Sequence, residues 1–338
     1  MKILITGAAG GIGSTLGYEL YKKGHTMFLV DNFRNGYKEN LRINGEKYGV
    51  FFEVDISDFD SFYTVVKDTS PDVIVHLAAI TALPDCEVNK TECIEINVGG
   101  TQKVLEAARL HGIKRVVFSS TSAVYENTTQ YPFREEYEIN PTLTYSLSKK
   151  LAEDICRAYE NNYEMQIPIV RFFNVFGPRQ DIYRSSPPLI NYLVREFTQG
   201  NVPVLHSDGT QQRDYVHIDD VVRMLEIILE ENFVARTTLN VCSGELLSVN
   251  DIVAYVRDAL GTKIEPRYRH ASKLWDTYPS LFEGPFPLNR ALVEKETKKF
   301  SLGSNEKARQ LIGWHPQANL KEAVQKTALE IQKNYNWA

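Results

Sequence analysis

The sequence has little cysteine, and its spacing pairs none of it. Among 338 residues there are four cysteines, Cys86, Cys93, Cys156 and Cys242, and no CxxC. A chain of this size buries about 75% of its unfolded surface and needs no disulfide staples. The four therefore read as reduced thiols of a cytoplasmic protein. The seven histidines are scattered without HExxH or paired-ligand spacing, so no metal is expected. A basic excess is also missing. Lys plus Arg number 38 against 43 Asp plus Glu, a net charge of −5. That balance argues against a dedicated binder of nucleic acid or of an anionic membrane. No run approaches about 18 apolar residues, which excludes a spanning helix. The opening run MKILITGAAGG lacks the apolar length of a signal peptide and suits a buried strand better.

What is present is ordinary globular material, 43% apolar and 24% charged. Length alone suggests about two domains. Apolar, β-type runs recur at residues 2–6, 26–30, 50–54, 73–77, 115–119 and 168–172, with helical patterns between several of them, such as 12–23 and 92–110. Short continuous apolar strands alternating with helices predict a parallel sheet covered on both faces, a doubly wound α/β domain. Ligands of such a domain sit at the carboxyl ends of its strands. After Phe173 the regularity breaks. Residues 174–188 are polar and rich in Pro and Gly and read as a loop. Helical patterns at 189–199, 219–230, 249–260, 305–312 and 320–334 predict a smaller C-terminal lobe.

Gly7-Ala8-Ala9-Gly10-Gly11-Ile12-Gly13 lies between a strand and a helix. Glycines there let backbone N–H groups approach a pyrophosphate at the helix N-terminus, although the same run would serve as a plain strand–helix turn. The second strand ends at Asp31, 18 residues after Gly13. An acidic residue there accepts from a ribose 2′-OH and repels a 2′-phosphate, which favours NAD over NADP. His76 reads as a packed strand residue.

The fifth strand runs into Ser119-Ser120-Thr121-Ser122-Ala123, and Tyr145-Ser146-Leu147-Ser148-Lys149 opens a helical pattern 20 residues after Tyr125. Tyr and Lys at i and i+4 share a helix face. An ammonium beside a phenol lowers the Tyr pKa and makes it a general base toward a substrate hydroxyl, with Thr121 bonding the same oxygen.

Together with Asn97-Val98-Gly99-Gly100-Thr101, Arg171-Phe172-Phe173-Asn174-Val175-Phe176-Gly177-Pro178-Arg179 and Arg213-Asp214-Tyr215-Val216-His217, these motifs give the chain its resemblance. It resembles the extended short-chain dehydrogenases/reductases of the nucleotide-sugar epimerase/dehydratase type, from residue 1 to about 241 and again over 301–316. The resemblance implies a Rossmann-type sheet, with residues 1–173 mainly binding NAD. Residues 174–338 would mainly bind the nucleotide sugar, some segments returning to the first domain. It implies NAD contacts at Gly7, Gly10, Gly11, Ile12, Gly13, Asp31, Asn32, Asp55, Ile56, Leu77, Ala78, Ala79, Asn97, Ser119, Tyr145, Lys149 and Phe172. Thr121, Tyr145 and Lys149 would be catalytic. Thr121, Ser122, Asn174, Leu189 and Arg213 would face the nucleotide-diphosphate sugar. The family's dehydratases and decarboxylases carry an acid at this strand end, where this chain has Ala123. The remaining set suits a 4-epimerase on UDP-glucose/UDP-galactose or a related UDP-sugar. A related dehydrogenase or reductase and a catalytically silent NAD-binding module are the alternatives.

One departure from the family pattern is the absence of a second diphosphate-clamping Arg. The aromatic- and proline-rich segment 268–300 is expected to replace it through Arg267, Arg269, Lys273 or Arg290, with Arg269 and Arg290 favoured for their planar forks. The alternative is a hydrophobic cluster packing one lobe on the other. A homodimer is expected, through further faces of the helices that carry the apolar stripes Leu147, Leu151, Ile155, Ala158 and Ile94, Val98, Leu105, Ala108.

Overall fold

A computed structural model describes residues 1–43, 45–184, 187–230 and 236–334. Seven parallel strands form the central sheet: β1 (Lys2–Thr6), β2 (Thr26–Asp31), β3 (Val50–Glu53), β4 (Val73–His76), β5 (Arg115–Thr121), β6 (Ile169–Phe172) and β7 (Thr238–Val241). Their spatial order is β3-β2-β1-β4-β5-β6-β7. The chain winds outward from β1 in one direction and from β4 in the other, so the switch point lies between them, where such sheets bind ligands.

Alternation along β1 explains the two layers. Ile3 and Ile5 join one core with Leu16 and Leu20 of α1 (Gly11–Lys22) and Leu225 of the helix Ile218–Glu230. Leu4 faces the other core, with Val65 of the helix Phe59–Thr69, Leu105 of Thr101–Leu110 and Ala152 of Thr144–Tyr163. Strands buried on both faces must be apolar throughout, which is why they read as unbroken hydrophobic runs.

The run 92–110 is one helical stretch with a defect. Lys90–Ile94 continues through a π-turn, Glu95–Gly100, into Thr101–Leu110. Its Leu105 and Ala108 pack on the chain's own sheet, whereas Leu151 and Ala158 of the Thr144–Tyr163 helix are exposed.

Residues 174–188 are not all loop. Asn174–Phe176 is a strand, parallel to Gln212–His217, which pairs antiparallel with Leu246–Ser248. The helices Leu189–Thr198, Val249–Leu260 and Leu320–Asn334 share a separate core on this side, including Leu193, Ile252 and Val324. A capping box between Ser248 and Asp251 starts the second of them. The segment 268–300 builds a smaller cluster, in which Trp275, Leu281 and Val293 pack against Leu143 at the start of the Thr144–Tyr163 helix.

One buried ion pair ties the layers. Arg171 on β6 donates Nε and Nη2 to the two carboxylate oxygens of Glu153, at 3.0 and 2.8 Å. Ser120 on β5 donates to the same carboxylate at 2.5 Å. Arg171 also donates to the Tyr125 hydroxyl at 2.8 Å, and Tyr125 donates to Asn240 on β7 at 2.9 Å. Both charged residues are 5% exposed. Removing one partner strands the other charge in the interior. The substitution Glu153→Ala should therefore cost about 3–5 kcal/mol of unfolding free energy in urea titration. A loss below about 1 kcal/mol, the scale of an exposed pair, would contradict this role.

Candidate active site

The ends of β1, β2, β4 and β5 open onto one cleft of about 340 Å³. Gly7, Gly10, Gly11, Ile12 and Gly13 line it, as do Asp31, Asn32, Asp55 and Ile56. Leu77, Ala78, Ala79, Ser119, Thr121, Tyr145, Lys149 and Phe172 complete the sequence-predicted residues brought together there.

The Gly-rich loop is glycine for steric reasons. Gly7 has φ +70°, and a Cβ on it would meet the Ala78 backbone N at 2.8 Å. A Cβ on Gly13 would meet the Gly7 carbonyl oxygen at 2.3 Å. Helix α1 begins from Gly10 with no side-chain cap and no acidic residue in its first turn. Its opening N–H groups are thus left for an anion, the arrangement that favours phosphate at a helix N-terminus. Asp31 holds the loop as well as facing the cleft: its carboxylate accepts from Ala9 N at 2.9 Å and Phe33 N at 2.8 Å. Nearby Arg34 is engaged with both carboxylate oxygens of Glu92.

Two buried glutamates set the helix that carries Tyr145. Glu126 accepts from the backbone N–H groups of Thr142 at 3.2 Å and Leu143 at 3.0 Å, and from the Ser146 hydroxyl. Glu87 accepts from Thr144 N at 2.6 Å. Carboxylates at this end complement the helix dipole and satisfy N–H groups that no side chain of the first turn caps. Thr121 ends β5, and its Oγ accepts from Ala123 N at 3.1 Å, which leaves its hydroxyl hydrogen for Tyr145.

The electrostatics differ from the sequence expectation. Burial pushes the Tyr145 phenol up to about 12, against the lowering effects of the Thr121 hydrogen bond and the Arg184 charge. Burial also pulls Lys149 down to about 8, its Nζ lying 4.8 Å from the centre of the Phe118 ring. In the chain by itself, desolvation dominates both groups. His76 is neutral, lowered to about 3 by burial and bonded to the Thr6 and Thr101 hydroxyls at 2.8 and 3.1 Å.

Seven expected site residues are not among the described residues lining the cleft. Asn97 sits in the π-turn and spends its amide on Ile80, accepting from its N at 2.8 Å and donating to its O at 2.9 Å, and on Ser148 Oγ at 3.0 Å. It fixes the loop after β4 and the residue before Lys149. Ser122 starts a 3-10 turn, Ser122–Tyr125. Asn174 donates to the Asp214 carbonyl at 2.8 Å. Leu189 packs against the lobe core. Arg213 donates to the Glu296 carbonyl at 2.6 Å. Arg269 is exposed on the strand Arg267–Arg269. Arg290 is paired with Asp276 and Glu294, and Lys273 with Asp276. The cation beside Arg213 is Lys299, which forms a 3.1 Å ion pair with Glu296. Its pKa is lowered by burial and, more weakly, by Arg213. Conversely, Gln180, Asp181 and Arg184 line the cleft although none was expected as a site residue. Their one sequence signal is position, directly after the strand Asn174–Phe176.

Comparison with known proteins decides the lineage. A sequence model of the NAD dependent epimerase/dehydratase family matches residues 3–242. The chain belongs to that family. A UDP-glucose 4-epimerase from Mycolicibacterium smegmatis is 31% identical over 332 residues, 97% of each chain. Among solved structures, a Thermotoga maritima UDP-glucose 4-epimerase with UDP-glucose superposes with a TM-score of 0.86 at 27% identity, covering 98% of this chain and 99% of that one. A Bacillus cereus UDP-glucuronic acid 4-epimerase in complex with UDP-glucuronic acid and NAD superposes at 0.83 and 25% identity, covering 99% and 100%. This epimerase/dehydratase family member uses NAD, and its own residues fit the cofactor: the uncapped α1, the glycines that no Cβ could replace, and Asp31 at the end of β2.

The buried Lys149 has a pH signature. Below pH 8 the folded chain carries an ammonium that burial disfavours, whereas the unfolded chain keeps its proton up to about pH 10.4. Wild-type stability should therefore rise between those values, because the unfolded state binds more protons. In cofactor-free protein, Lys149→Met should melt above wild type at pH 7, with the gap closing toward pH 10. A gap independent of pH would contradict the assignment.

Proposed function

We propose that the protein is an NAD-dependent nucleotide-sugar 4-epimerase acting on UDP-glucose/UDP-galactose or a related UDP-sugar. The observation that carries this reading is the content of the cleft: Thr121, Tyr145 and Lys149 line it, and the position where related dehydratases place an acid is Ala123. Alanine transfers no proton, so the set moves one proton beside one hydride, the minimum for inverting a carbinol carbon. Bound NAD supplies the hydride chemistry.

In this reading the chain's residues act as follows. Tyr145 accepts the proton of the C4 hydroxyl as that carbon becomes a ketone. Thr121 donates a hydrogen bond toward the same phenolic oxygen, favouring its ionised form. Lys149 supplies positive charge one helical turn below. The Gly-rich loop and Asp31 bind the pyrophosphate and the adenosine ribose. The bound 4-ketose turns over, and Tyr145 returns the proton to the other epimer. Proton and hydride both go back to the sugar, so no outside reductant is consumed. The relatives whose names specify UDP-glucose and UDP-glucuronic acid support a UDP-sugar.

Tyr145→Phe should keep the fold and NAD binding, because the ring still packs, but lose at least about 10²-fold in turnover, the lower range for a general base. Epimerisation of UDP-sugars without added cofactor, followed by chromatography of the products, measures it. Near-native turnover would remove Tyr145 from the mechanism.

A further inference from the structure

Arg184 is a cation on the wall of the cleft. Residues 181–184 form a fixed turn. Asp181 Oδ1 accepts from Tyr183 N at 2.9 Å and Arg184 N at 3.0 Å, and it also accepts from the Tyr37 hydroxyl. Ile182 is fully buried, and its carbonyl accepts from Arg195 at 3.0 Å. The backbone leading into Arg184 is thus held by Asp181 and Ile182.

Arg184 and Tyr145 line the same cleft, and the arginine's charge is the weakest of the influences on the phenol. Yet Arg184 Nε is buried and has no hydrogen-bond partner among the described residues. The nearest carboxylate in sequence, Asp181, is already occupied. Arg34, at the other end of the cleft, differs because Glu92 satisfies it. A buried guanidinium N–H without an acceptor is unfavourable and marks a place where a ligand supplies one.

We propose that Arg184 receives an acidic group on the sugar, so that the substrate is a nucleotide-linked hexuronate. This rests on the nucleotide-sugar reading above. Tyr145 fixes where the reacting C4 hydroxyl lies, and C5 with its substituent is the adjoining ring carbon. A neutral hydroxymethyl there offers no charged acceptor to the unpartnered Nε–H, whereas a carboxylate matches the planar fork with two parallel hydrogen bonds.

Calorimetric titration of the NAD-loaded protein tests this with UDP-glucuronate, UDP-glucose and UDP as probes. Wild type should bind UDP-glucuronate more tightly than UDP-glucose. Arg184→Gln should weaken UDP-glucuronate at least thirtyfold, while UDP-glucose, UDP and NAD change less than threefold. Arg184→Lys should recover part of the loss, since it restores the charge without the fork. Equal weakening of all three nucleotides would place Arg184 on the diphosphate, and weakened NAD would place it on the cofactor. Either result overturns the proposal, as does an unchanged UDP-glucuronate affinity. Chromatography of the same mixtures separates the two readings. Selective uronate binding without a C4 epimer would retire 4-epimerisation and keep the uronate site. Epimerisation of both sugars, indifferent to Arg184, would do the reverse.

Discussion

The buried pair between Glu153 and Arg171 is the constraint on which the cleft depends. Tyr145 and Lys149 stand on a helix and Thr121 on a strand, so their relative placement depends on how helix and strand are tied together. Glu153 lies one turn beyond Lys149 and takes hydrogen bonds from Ser120, the neighbour of Thr121, and from Arg171 on the next strand. Apolar packing alone tolerates small slides. A bidentate charge pair with both carboxylate oxygens occupied does not, and truncating either partner is costly in a dry interior. The pair thus holds the register between phenol and hydroxyl. Glu126 and Glu87 perform the same service at the start of the helix.

Burial sets the chemistry of the site as much as charge does. Desolvation holds the Tyr145 phenol neutral and presses Lys149 toward losing its proton. In the proposed cycle this phenol ionises only when positive charge and a hydrogen-bonding substrate enter the same volume, which would couple proton removal to a filled site. Asp31 combines two tasks in a related way, bracing the Gly-rich loop through Ala9 while facing the cleft.

The sequence made the α/β layering legible because a strand covered on both faces must be apolar throughout, and six such runs mark six of the seven strands. The Gly-rich loop, Asp31 and the Tyr145–Lys149 spacing were legible because local geometry dictates them. What stayed hidden is non-local. β7 lies beside β6 only after some sixty-five intervening residues, and the short strand Asn174–Phe176 exists only through its pairing with Gln212–His217. Asn97 looks like a cofactor ligand in its motif, yet tertiary hydrogen bonds to Ile80 and Ser148 claim its amide. Arg267, Arg269, Lys273 and Arg290, in and beside the segment 268–300, were the cations expected to supply the missing clamp. Carboxylates engage Lys273 and Arg290, Arg267 and Arg269 lie on an exposed strand, and the segment's apolar residues pack on Leu143. Arg184 carries no sequence signature, because a buried Nε–H without an acceptor is a property of its surroundings.

In the proposed cycle one carbon loses and regains the same hydride within a single bound complex. A UDP-sugar deuterated at C4, incubated with the purified protein and no added cofactor, tests it through mass spectrometry of the recovered epimers. Both epimers should keep the label at C4, undiluted by solvent hydrogen. Deuterium lost to solvent, or product formed only when external NADH is consumed, would contradict it.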